Sequence, residues 1–170
     1  MKHLILILLF ASPLFAFTQK MNQKASDPKK NNEMLVGYCT REGFVGLNCN
    51  FDSAFRVEYA AYHTDKATMD QLAKKLKGIK VTVVMATWCG DSKDWVPRFY
   101  KIMDELEFNY KNLALICVDR DKKAPRTNVD TLKADRVPTF IFYRKKTELG
   151  RIVEVPEGIF EKEILKIILK

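Results

Sequence analysis

The chain has 170 residues, 47% of them hydrophobic and 29% charged, with 29 Lys and Arg against 21 Asp and Glu for a net charge of +8. This balance suits one globular domain with short extensions and excludes a low-complexity or largely disordered chain. The basic residues are interleaved with acids, as in Asp119-Arg120-Asp121-Lys122-Lys123, which favours a solvated basic surface over a nucleic-acid binder.

Met1-Lys2-His3 gives a positive start, Leu4 to Phe10 is apolar, Ser12-Pro13 breaks the run, and Ala16 offers a small residue at a cleavage point. Residues 1–16 are therefore expected to be a signal peptide. An uncleaved anchor is the alternative, although the apolar run is short for a full span. The expectation is an exported protein, periplasmic or extracellular, with no stable membrane insertion once the signal is removed. Residues 17–33 are polar and rich in Lys, Asn and Gln, which predicts a flexible leader.

Residues 34–65 read as an N-terminal extension. Met34 to Cys39 suggests a short edge strand. From Asp52 to about His63, Phe51, Phe55, Tyr59 and Tyr62 recur at helical spacing, a stripe that usually faces a core. Cys39 and Cys49 bracket the Gly-containing loop Thr40 to Asn48. They are the natural candidates for a disulfide if the protein is exported. Cys117 lies in the apolar run Leu113 to Val118 and reads as a small buried hydrophobe.

The domain proper is expected over residues 66–170. A helix within Thr64 to Lys77 has Thr64 or Asp65 as its cap and Gly78 at its end. A short β-branched strand, Ile79 to Ala86, follows. Trp88-Cys89-Gly90-Asp91-Ser92-Lys93 then leads into a helix running to about Phe108 and containing Pro97. Gly90 is read as permitting a tight turn, and Asp91 and Ser92 as helix-start residues. Cys89 at a helix N-terminus meets unsatisfied backbone N–H groups and the positive end of the dipole, which favour the thiolate, the form that attacks disulfides. The nearby Asp91 carboxylate opposes that effect. Further on come a strand at Leu113 to Val118, a charged loop, a short helix within Val129 to Asp135, two strands at Pro138 to Arg144 and Arg151 to Val155, and an amphipathic helix at Glu157 to Lys170. The order predicts an α/β fold with a mixed central sheet flanked by helices.

Trp88-Cys89-Gly90-Asp91-Ser92-Lys93, with Pro97 eight positions after Cys89, resembles the Trp-Cys-Gly-x-Cys-Lys segment of the thioredoxin superfamily. Arg136-Val137-Pro138-Thr139-Phe140 resembles that superfamily's cis-proline and the strand after it. The chain looks most like bacterial thioredoxin-like proteins with a Trp-Cys-Gly-Asp variant. The resemblance implies a three-layer thioredoxin-like fold, Pro138 beside Cys89, and a substrate surface formed by Trp88, Gly90, Asp91, Val137 and Pro138. Two positions depart from the pattern: Ser92 replaces the second cysteine, and Val83 stands where many thioredoxins bury an acid.

The expected catalytic pair is Cys89 as nucleophile, with Ser92 donating a hydrogen bond to its thiolate. A hydroxyl cannot form the second S–S bond that releases a mixed disulfide. Release then requires an external thiol or a second substrate cysteine. The expected partners are protein disulfides or thiols. One alternative is a non-catalytic thioredoxin-fold module that binds partner or unfolded chains by Pro138. Another is a dithiol reductase using Cys39 or Cys49. No metal, cofactor or nucleotide motif is present in the sequence.

Overall fold

A computed structural model describes residues 20–170 of the chain. The expected signal segment lies outside the described residues. Six strands form one sheet: β1 (Gln23–Asp27), β2 (Asn32–Cys39), β3 (Ile79–Met85), β4 (Leu113–Cys117), β5 (Thr139–Arg144) and β6 (Thr147–Val153). Their spatial order is β1-β2-β4-β3-β5-β6, with β3 and β4 parallel and the other neighbours antiparallel. The helices are α1 (Phe51–Ala61), α2 (Lys66–Lys75), α3 (Gly90–Glu105), the short α4 (Val129–Leu132) and α5 (Phe160–Ile168). This is the thioredoxin-like α/β architecture expected from the sequence, with an added N-terminal portion.

Period-2 alternation along the central strands divides the core between the two faces of the sheet. Val81, Val83 and Met85 of β3, with Leu115 and Cys117 of β4, join a large cluster that includes side chains of α1, α2, α3 and α5. Val84, Ala86, Ile116 and Val118 face a smaller cluster completed by Ala124, Val129 and Val137. In the larger cluster the Phe99 and Phe160 rings lie 5.2 and 5.1 Å from the Phe140 ring. All three residues are fully buried.

The N-terminal region differs from the sequence expectation. Part of the supposed flexible leader is β1, which pairs with β2 from Gln23↔Val36 to Asp27↔Asn32. The Met34–Cys39 strand is interior, because β1 covers one side of it and β4 the other. Polar composition concealed β1, whose five residues Gln-Lys-Ala-Ser-Asp carry no apolar alternation. After α1, the predicted cap choice resolves to Asp65, whose carboxylate accepts from Thr68 N–H at 3.0 Å.

An aromatic cage fixes the extension to α3. The Arg41 guanidinium lies 4.9 Å from the Phe55 ring, 4.9 Å from Tyr59 and 5.3 Å from Tyr100. Its Nη1 donates to Asp104 Oδ2 at 2.6 Å. Asp104 also accepts from the hydroxyls of Tyr59 (2.8 Å) and Tyr110 (2.5 Å). Burial pushes the Asp104 carboxyl up, but the hydrogen bonds from Tyr110, Tyr59 and Arg41 outweigh it and hold the group below the usual range.

Two outcomes follow from this packing. Phe140→Ala should lower unfolding stability by about 3–5 kcal/mol in urea titration, because it empties the centre of the Phe99–Phe160 contact. A depressed carboxyl stabilises the fold above its unfolded value, about 3.9, and loses that contribution as pH falls through the lower folded value. Asp104→Asn should therefore make stability less steeply dependent on pH below about 4 than in the wild type, as read by denaturant midpoints across the acid range.

Candidate functional site

β3 ends at Met85, and the chain turns through Ala86 to Cys89 before entering α3. Cys89 is the N-cap residue of α3, with extended backbone and no side-chain hydrogen bond to the first turn. Cys89 is partly exposed, whereas Thr87 and Ser92 beside it are buried. The Val137–Pro138 peptide is cis. The Cys89 thiol donates to the Val137 carbonyl oxygen at 3.2 Å. Residues 48 positions apart thus meet at one sulfur. They meet because β3 and β5 pair with Val84 opposite Thr139, which carries the end of one strand to the start of the other.

That hydrogen bond belongs to the protonated thiol. Without that proton the sulfur would have nothing to donate and would face a carbonyl of like partial charge. Asp91 is half-buried in the first turn of α3. Lys93 reaches away, donating to the Cys49 carbonyl at 2.9 Å.

Trp88 is half-buried. Its indole N–H donates to the Val118 carbonyl at 3.1 Å. The Arg120 guanidinium lies 4.4 Å from the ring centre and the Lys122 ammonium 4.5 Å. In the sequence these two cations alternate with Asp119 and Asp121, a pattern that suits ordinary surface. Only the loop's return over Trp88 shows that they belong to the rim.

The structure brings Trp88, Cys89, Gly90, Asp91, Val137 and Pro138 to one locality, and it revises the roles of four site candidates. Ser92 does not bond to Cys89; it is fully buried, and its hydroxyl oxygen accepts from Ala86 N–H at 3.3 Å. It ties the helix to the end of β3. Gly90 is not demanded by a turn: its φ is not positive, and a Cβ there would meet nothing within 4 Å. Cys39 and Cys49 are free thiols in the structure, so the expected disulfide is not formed.

Those two cysteines and Cys117 all lie in the larger core cluster, 4%, 7% and 0% exposed. Burial pushes the Cys117 thiol well up, and the adjacent Cys39 and then Cys49 add to the effect. Packing rather than a covalent bond thus accounts for all three. Among the described residues no group of His, Cys, Asp and Glu is arranged to hold a metal ion.

The family model described as "Thioredoxin" matches residues 52–166. This chain belongs to the thioredoxin family. It is 28% identical over 140 residues to thioredoxin H9 of Arabidopsis thaliana, covering 78% of this chain and 93% of that protein. Thioredoxin H2-1 of Oryza sativa subsp. japonica is 32% identical over 102 residues, covering 58% and 70%. Among solved structures, a Pseudomonas aeruginosa protein of unknown function superposes with a TM-score of 0.57 at 16% identity, covering 79% of this chain and 92% of that one. The thioredoxin match begins at α1 and leaves out β1 and β2.

Burial separates the four thiols by reactivity. Mass spectrometry after brief alkylation of the folded, untreated protein should find one modified cysteine, Cys89. Alkylation after denaturation without reductant should find all four, whereas two would mean that a disulfide had been present.

Proposed function

We propose that this thioredoxin-family protein exchanges thiols and disulfides through Cys89 alone. The observation that supports this most is the asymmetry among its thiols: Cys89 alone is partly exposed, at a helix N-terminus and beside Val137–Pro138. The thiolate attacks one sulfur of a substrate disulfide. A bond forms between Cys89 Sγ and that sulfur, the substrate S–S bond breaks, and the departing sulfur leaves with the electron pair and takes up a proton. A second thiol, either a small molecule or another cysteine of the substrate, then attacks the mixed disulfide and returns Cys89 to its starting form. The Val137 backbone, Pro138 and Trp88 provide the surface beside the reacting sulfur.

Ser92 sets the outcome of this cycle. With oxygen where a resolving sulfur stands in the dithiol pattern, the mixed disulfide has no internal exit. Exchange or isomerisation is favoured over net two-electron reduction. The apolar start of the chain supports a site of action outside the cytoplasm, where disulfide substrates are plentiful.

A second reading, a thioredoxin-fold module that binds chains without chemistry, draws support from the same hydrogen bond. A thiol engaged with the Val137 carbonyl rests in its unreactive form.

The two readings separate on trapping. Incubated with a disulfide-containing protein, the wild type should accumulate adducts on non-reducing gels that disappear with reductant, and Cys89→Ala should give none. Binding retained by Cys89→Ala, with no adduct from the wild type, would establish the second reading. Ser92→Cys should shorten the adduct lifetime at least about tenfold, because the incoming sulfur supplies an internal exit.

A further inference from the structure

The strongest unexplained feature outside the thiol itself is a buried carboxylate on the N-terminal hairpin. Asp27 ends β1, and its side chain is completely inaccessible. Such a charge is costly unless it is paired and hydrogen-bonded. Its partner lies 93 residues away. Arg120 Nε donates to Oδ1 at 3.0 Å and Nη2 to Oδ2 at 2.6 Å, a two-pronged pair. The Lys29 N–H also donates to Oδ1 at 3.0 Å. The same guanidinium is the one that covers the Trp88 ring. The hairpin reaches the site a second time through Leu35 of β2, whose N–H donates to the buried Thr87 hydroxyl at 3.2 Å.

We propose that the β1–β2 hairpin, which the matched family segment leaves out, is a working part of the thiol site: Asp27 holds Arg120 as a fixed cation over Trp88, the residue preceding Cys89. This deepens the reading of Cys89 as nucleophile and rests on it. Arg120 is a positioning residue. Its planar fork is locked by the carboxylate, so its charge cannot swing into solvent as a surface lysine can. A cation fixed near a sulfur favours the thiolate over the thiol. Asp27 chiefly, and to a lesser extent burial, Asp27's charge and Cys89, set the ionisation of Arg120, and the net effect raises it. Arg120 therefore carries its charge throughout the working range.

The other charged groups around the sulfur come from several elements. α3 supplies Asp91 and Lys93, the latter turned to the Cys49 carbonyl. The loop after β4 supplies Lys122 over Trp88 and Asp119, whose Oδ1 accepts from the N–H groups of Asp121 and Lys123. Arg136, just before Val137, is paired with Glu154 at 3.0 Å. Arg120 is the cation in this set clamped by a fully buried acid.

The test uses the full chain and reads the pH profile of Cys89 alkylation by iodoacetamide. The double substitution Asp27→Asn with Arg120→Gln removes both charges together, so neither is left buried and unpaired. It should slow alkylation at neutral pH by about fivefold and move the profile to higher pH. Arg120→Lys keeps a cation opposite Asp27 but loses the two-pronged hold, and should fall between the wild-type and double-variant profiles. Circular dichroism confirms folding of each variant. A folded double variant with the wild-type profile would overturn the clamp, as would Arg120→Lys displaced as far as the double variant. If the double variant fails to fold, Asp27→Asn alone decides: a profile moved to higher pH supports the clamp and an unchanged one refutes it. A wild type that never forms adducts would instead defeat the nucleophile reading, a result distinct from either outcome here.

Discussion

The pairing of β3 with β5 is the constraint on which the site depends. Val84 stands opposite Thr139, so the last turn before Cys89 and the residues just before β5 leave the sheet at the same edge. A slip of one residue would reverse the faces of Phe140 and Phe142 and carry Val137 away from the sulfur. The fully buried Phe99, Phe140 and Phe160 resist such a slip, because their rings interlock on one face of that pairing. Core packing and thiol geometry are in this sense one arrangement.

At that sulfur the Val137 carbonyl accepts from the Cys89 thiol, and Cys89 itself is the N-cap residue of α3. Ser92, turned to Ala86, contributes rigidity at the strand–helix junction. Replacing a cysteine by serine at a fully buried position costs little in packing while changing the chemistry completely, since oxygen cannot complete the S–S exchange. The other three cysteines lie in the core, where exclusion of water keeps them from competing with Cys89.

The N-terminal portion carries more of the structure than its composition suggests. It supplies two strands, a caged arginine bonded to α3, and a buried acid paired with the arginine over Trp88. These attachments lie far from one another, so the extension is fixed at several points. A region fixed in this way can influence the thiol through charge and positioning even though it does not touch the sulfur.

Local sequence determined the strand–turn–helix around Cys89, the proline motif at Val137–Pro138, most helix positions and the inward faces of the strands. Each of these follows from periodicity, capping residues or a motif contained within a few consecutive positions. The tertiary structure alone decided that polar β1 joins the sheet, that Cys39 and Cys49 remain unbonded, and that Ser92 turns from Cys89. It also decided that Arg120 links Asp27 to Trp88. Such pairings join residues tens of positions apart. Their partners are chosen by strand register and loop course, which no local pattern of hydrophobicity or charge encodes.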